Sequence, residues 1–262
     1  MTSTRLWDRA GALAVRPDDE PALPAIAALP SDRLPGVAEL FDFMRDAEMR
    51  FGALRMRIED RTWGSTGEHL EVIDTVLRHP GDAKVTTTDP GLGTSANYEV
   101  WISDGETVRT YAARHHLGTR RPVRRRVVGL DSGDLPGMSR VYEPRTALPM
   151  ETLADTFVHP AGFCQNVLAT GACEVVGSDV VAGREAVVLV ADHPRAVERI
   201  GDRPDFQLEI AVDRDTGVIV RLVERIGRSE TRRAEVITLQ PDAPIPASAF
   251  QFEFPAGTTF IY

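Results

Sequence analysis

Six histidines are spread along the chain, at His69, His79, His115, His116, His159 and His193. No two stand at the i, i+4 spacing that would set a pair of imidazoles on one helical face for a metal ion. His115 and His116 are adjacent, and adjacent side chains of a strand point to opposite faces, so they do not share a ligand. All six read as surface histidines. Cys164 and Cys173 are the two cysteines, and ordinary buried thiols are favoured over a disulfide between them. Lys84 is the single lysine, which leaves almost no room for a lysine nucleophile. Gly-x-Ser-x-Gly elbows, Walker loops and Cys-x-x-Cys pairs are absent, and Gly91-Leu92-Gly93 has no helical pattern behind it. Asp213-Arg214-Asp215-Thr216-Gly217 spaces its carboxylates like a calcium loop, with Glu224 at the twelfth position, but Val218 stands where the loop glycine belongs, so a β-turn is the better reading. The expectation is a protein that is not an enzyme and holds no cofactor or metal.

Two features could bind rather than react. Arg120, Arg121, Arg124, Arg125 and Arg126 form a basic run in an otherwise acidic chain. Guanidinium groups so clustered could hold an anionic headgroup or an acidic partner, or they could simply keep a sheet edge from pairing with another. The second feature is apolar: Leu54, Met56, Ile58 and Val100 on strands, with Leu153, Phe157 and Phe163 on a helical segment, could line a hollow for a hydrophobic small molecule or lipid. They could equally make a packed core, and periodicity does not separate the two.

The elements that must position these residues follow from the change of period along the chain. Pro17, Pro21, Pro24, Pro30 and Pro35 exclude a long helix in residues 1–35, which read as a proline-rich arm or linker with a short helix over 4–15. Val37, Leu40, Phe41, Met44 and Ala47 fall at helical intervals, so a helix is expected from Val37 to Met49. Leu54, Met56 and Ile58 then alternate with Arg55, Arg57 and Glu59, the mark of a strand with one dry face. Tyr98, Val100 and Ile102 lead to Asp104-Gly105, a strong hairpin signal, and Val108 to Ala112 returns. Further hairpins are read over Phe206–Leu222 and over Cys173–Gly177 with Val180–Val190, and a last strand over Arg233–Leu239. Glu151–Thr170 interrupts the strands as one or two short helices broken at Pro160 and Gly162. With no βαβ rhythm, doubly wound folds are excluded.

Composition sets the outer bounds. At 262 residues, 42% hydrophobic and 26% charged, the chain can bury a sizeable core unaided. Its net charge of −9 disfavours nucleic acid as a partner. No apolar run approaches the roughly 20 residues of a membrane-spanning helix, and Gly11–Val15 is shorter than the core of a secretory signal. A cytoplasmic location is therefore expected, or an extracytoplasmic one if a leader was removed.

Three segments carry a family resemblance. Val176-Gly177-x-x-Val180-Val181-Ala182-Gly183-Arg184-Glu185-Ala186, Val212-Asp213-x-x-Thr216-Gly217 and Ile245-Pro246-x-x-x-Phe250-x-Phe252-x-Phe254-Pro255-x-Gly257 resemble the hairpins and closing segment of the LolA and LolB type lipoprotein localisation factors and the related RseB type sensors. The resemblance covers about residues 36–260. It implies a half-barrel of about eleven strands with helices over its mouth, acyl chains held in an apolar cavity, and no catalysis. The expected fold is thus mainly β (α+β), with residues 36–262 as one domain. A large curved antiparallel sheet forms an open half-barrel, covered on its concave face by the N-terminal helix and the mid-chain helical insert. Two functions follow as alternatives: noncatalytic binding of a hydrophobic or lipid-like ligand in the concavity, or a regulatory or scaffold protein that binds another protein through its surface with a filled core.

Overall fold

The computed structural model describes residues 26–65, 67–92, 97–123, 144–194 and 205–261. Arg124, Arg125, Arg126 and the expected helix over 4–15 lie outside the described residues. Helix α1 (Val37–Arg45) starts at Gly36, whose amide donates to the Glu39 carboxylate, while the Arg33 guanidinium forks onto the same carboxylate. Those contacts satisfy donors that an uncapped helix start leaves free, and the Arg33 contact first of all, then the Gly36 amide, holds the Glu39 carboxyl down to about 2. The helix ends earlier than its period suggests, because Ala47–Met49 tightens into a 3-10 turn.

Among the described residues, twelve strands make one open sheet: β1 (Ala53–Gly64), β2 (Gly67–Arg78), β3 (Asp82–Thr88), β4 (Tyr98–Asp104), β5 (Thr107–Ala112), β6 (Leu117–Pro122), β7 (Ala172–Val181), β8 (Arg184–Asp192), β9 (Phe206–Asp213), β10 (Ile219–Ile226), β11 (Ser229–Pro241) and β12 (Thr259–Phe260). Their spatial order is β12-β6-β5-β4-β3-β2-β1-β11-β10-β9-β8-β7. All neighbours are antiparallel except β12, which pairs parallel to β6 at two positions. The sheet curls into a half-barrel, as large twisted sheets do. Between β6 and β7 the chain forms the insert, α2 (Leu153–Val158) and α3 (Pro160–Asn166), broken at His159–Pro160 as a proline at the first helical position requires.

Register decides what lies under the helices. Ile58 stands opposite Ile73, Ile73 opposite Thr87, and Thr87 opposite Glu99, so one face runs unbroken across four strands. Leu54, Met56 and Ile58 belong to this face and pack into a single core with Leu40 and Met44 of α1 and with Leu153, Ala154 and Phe157 of α2. Arg55 is half-buried and Arg57 exposed on the other side. The helix-bearing face is the concave one.

The opposite face is not simply wet. Across β4 and β5 it carries Val100, Ile102 and Tyr111, and the closing segment lays Phe252 and Phe254 against Tyr111, with Phe254 touching Phe260 of β12. A side chain on Gly118 would collide with Phe254 and Thr258, so glycine is what lets the closing segment come this close to β6. Towards the other edge the convex face is covered by charge: Arg221 and Arg225 both reach Glu209, and Arg233 joins Glu230 to Glu235.

Three local readings differ from the sequence expectation. The β7–β8 turn falls at Ala182-Gly183, both at positive φ, rather than at Ser178-Asp179, and β7 absorbs the earlier irregularity as a bulge between Val175 and Gly177. His115 and His116 end a 3-10 turn instead of sitting in a strand. Residues 26–35 of the expected arm are tethered: the Ala27 amide donates to Asp46, Arg214 donates to the Pro30 carbonyl, and Leu29 packs on the core.

Candidate functional site

The apolar residues singled out from sequence divide in two. Leu54, Met56, Ile58, Leu153 and Phe157 meet in the concave core, and Phe163 of α3 packs against its rim. Val100 does not join them: it lies opposite Thr86 and Tyr111, on the convex face. Alternation along a strand identifies an apolar side without saying which way it faces, and in β4 the apolar side is turned to the C-terminal segment. Phe157 is fully buried and fills the ground between α2 and the sheet. The hollow expected from a half-barrel is thus plugged by the insert.

The part of the concavity left open is polar. A cleft of about 460 Å³ lies beside the start of α2, with Asp60, Glu71, Thr87 and Glu99 on its floor and Glu151, Thr152 and Leu153 along its rim. Arg232 closes one side and donates both arms to Asp60, at 2.9 and 3.0 Å, so this buried carboxylate has its counter-charge beside it. Arg114 stands on the cleft wall. Ile73 and Leu153 line this cleft and also belong to the apolar core, so polar mouth and plugged hollow share a border. Glu151, where the chain enters the insert, has a φ of 62°, a left-handed value that non-glycine residues seldom adopt. Sequence reading missed the cleft because its carboxylates come from separate strands. One signal was present: Asp60 follows Leu54, Met56 and Ile58 on the dry face of β1, where a charge needs a partner.

The remaining candidates fall elsewhere. Arg120 and Arg121 are exposed on β6, beyond the two residues that β12 covers, at the end of that edge that no strand pairs with among the described residues. Asp213 is buried in a β-turn, where it accepts from Arg184, from the Thr216 amide and from the Thr216 hydroxyl. Cys164 and Cys173 are both free thiols; burial pushes both thiols up, Cys164 far above the usual range. Two histidines are not surface residues. His79 stacks on Phe51 and contacts the Thr146 hydroxyl, and burial brings it down to about 4. His159 sits between α2 and α3 with its imidazole only 7% exposed. Among the described residues no group of three His, Cys, Asp or Glu side chains could hold a metal ion, and no helix is long and apolar enough to cross a membrane.

No protein-family model matches the sequence, and no curated protein matches it. Among solved structures the chain is similar to MucB at 16% identity and a TM-score of 0.48, over 83% of this chain and 62% of MucB. It is also similar to an uncharacterized conserved protein from Thermus thermophilus at 10% identity and a TM-score of 0.47, over 86% and 97% of the two chains. A LolA superfamily protein from Nitrosomonas europaea matches at 9% identity and a TM-score of 0.33, over 83% and 98%. The chain therefore spans less than two thirds of the length of MucB. These are likenesses of fold alone.

Proposed function

We propose that this protein is a noncatalytic binding protein for an amphipathic, lipid-like ligand. The apolar chain of the ligand would take the place of the insert against Leu54, Met56 and Ile58, with Leu153, Phe157 and Phe163 as the plug that yields. Its polar end would rest in the cleft beside Glu151. The observation that carries this reading is the shared border: Ile73 and Leu153 line both the polar cleft and the apolar core, so one amphipathic molecule could span the two once α2 moves. Arg120 and Arg121 stand apart from the cleft lining, which favours edge protection over headgroup contact for this pair.

Native mass spectrometry of gently purified protein tests the reading, together with titration of a fluorescent single-chain fatty acid. A copurified amphiphile, or saturable uptake of the probe that Leu54→Asp abolishes in a folded protein, is the expected result. Absence of both would overturn it.

A second reading, a protein-binding scaffold with a permanently filled core, is favoured by one feature. Strand β7 forms the other edge of the sheet and leaves Val176 and Val180 exposed beside it. An extended peptide could add there as a further strand. Protein captured in proportion to an intact β7 edge, with no lipid bound, would favour this second reading.

A further inference from the structure

His159 lies at the joint of the insert, closing α2 and opening α3. Its Nδ1 is 2.9 Å from Asp155 Oδ1. A carboxylate can only accept, so the imidazole donates there. That leaves Nε2 bare in the neutral ring. Facing it, 3.7 Å away, is Glu48 Oε2, on the 3-10 turn after α1. The Glu48 carboxylate already accepts from the Arg145 amide at 2.8 Å. Both atoms across the gap are then acceptors with no proton between them, and Nε2 is buried without a hydrogen-bond partner among the described residues. A buried polar atom in that position is costly, and a single added proton resolves it. A small cleft of about 100 Å³, bordered by Glu48, His159 and Arg45, gives the carboxylate room to close the distance.

We propose that His159 is a protonation latch on the insert. As an imidazolium it donates to Asp155 and to Glu48 together, and so pins the joint of the two helices to the turn after α1. As a neutral imidazole it holds Asp155 only, and the insert is freer to leave the concave face. The other charged groups around it do not make this switch. Arg145 and Arg45 stay cationic throughout. His79 feels a charge on His159, but its own burial keeps it neutral down to about pH 4. The latch rests on the plug reading proposed above for its purpose, though not for its geometry.

The test is amide hydrogen exchange of the full chain without ligand at pH 5.5 and pH 8, expressed as protection factors so that the intrinsic pH dependence cancels. Protection over 153–166 should be higher at pH 5.5, on the order of tenfold, as expected for one charge-assisted hydrogen bond gained. His159→Gln should remove the difference. Glu48→Gln is the sharper variant: the Arg145 amide and His159 Nε2 face the same oxygen of Glu48, which the Gln carbonyl can replace without its charge, so the charge-assisted bond is lost and the tenfold pH difference should disappear. No pH difference in the unmodified protein, or a difference that survives in either variant, would overturn the latch. Should His159→Gln fail to fold, Glu48→Gln decides alone. Failure to find any amphiphile would overturn the binding reading and leave the exchange result standing, so the two fail separately.

Discussion

Replacing Phe157 by alanine separates a plug from an ordinary core residue. The ring is completely buried and belongs to the core that Leu54, Met56 and Ile58 form with α1 and α2. Losing a phenyl group from such a site removes its transfer free energy and leaves a cavity, together about 3–5 kcal/mol. Residues that merely fill a core stop there. A plug differs, because the vacated volume lies on the path from the polar cleft and is lined by residues suited to an alkyl chain. A straight-chain fatty acid should then bind the variant and return part of the loss, about 2.7 kcal/mol at one hundred times its dissociation constant. Urea unfolding followed by circular dichroism, with and without dodecanoate, measures both quantities in one series. A loss of about 4 kcal/mol that no chain length recovers would refute the plug, since it would mean that the site collapses or that the cleft does not lead to it.

Asp213→Ala should destabilise the fold by about 3 kcal/mol in the same denaturant assay, because two donors of Thr216 and the Arg184 Nε lose the buried carboxylate that satisfies them, and Arg184 is left with the exposed Asp215 alone. Proton NMR of the His79 ring should show a midpoint near pH 4, lowered by burial first and then by the charges of Arg145 and His159. Because that folded value lies below the unfolded one, the unfolded chain binds the proton first, so this histidine's share of stability falls as pH drops from about 6.5 towards 4 and is constant below; a midpoint near 6.5 would contradict it. A thiol reagent should label Cys173 before Cys164 in the native state, since Cys164 is buried and Cys173 only partly so; simultaneous labelling would show that the insert opens faster than the reagent reacts. Arg120→Ser with Arg121→Ser should leave the unfolding midpoint nearly unchanged, as exposed charges contribute little, but should raise light scattering if the pair guards this edge of the sheet.

Much of the sheet was legible because its alternation is strict. The run from Leu54 to Ile58 sits on a buried face, and a one-residue slip would have reversed every side chain in it. Asp104-Gly105 and Asp213–Gly217 turn where turn chemistry demands. What alternation lacks is an absolute direction. In β4 the apolar side meets the rings of the closing segment across the convex face, and so Val100 lies in the convex layer and not in the concave one that its alternation suggests. The alternating phenylalanines of the closing segment, which have no hydrogen-bonded strand of their own, were the available sign that something lay on that face. The polar cleft is harder to read, because Glu71 and Glu99 look like wet-face residues until register sets Glu71 opposite Asp60 and Glu99 across the same cleft. His159 was half visible: Asp155 stands four residues before it on one helical face, but Glu48 reaches it only through tertiary packing.

The covering of the two faces bears on how the protein could open. The convex face of β4 to β6 is held by a segment that continues into β12, a paired strand, so lifting it would break sheet hydrogen bonds. Among the described residues the insert pairs with no strand. It holds to the concave face through side chains, through the N-terminal helix beside it and through the contacts at His159. Removing it would expose Leu54, Met56 and Ile58 while leaving every strand ladder intact. Side-chain packing that an acyl chain could replace is therefore what a ligand would compete with, and the opening step should be local, reversible and slower when the His159 joint is pinned.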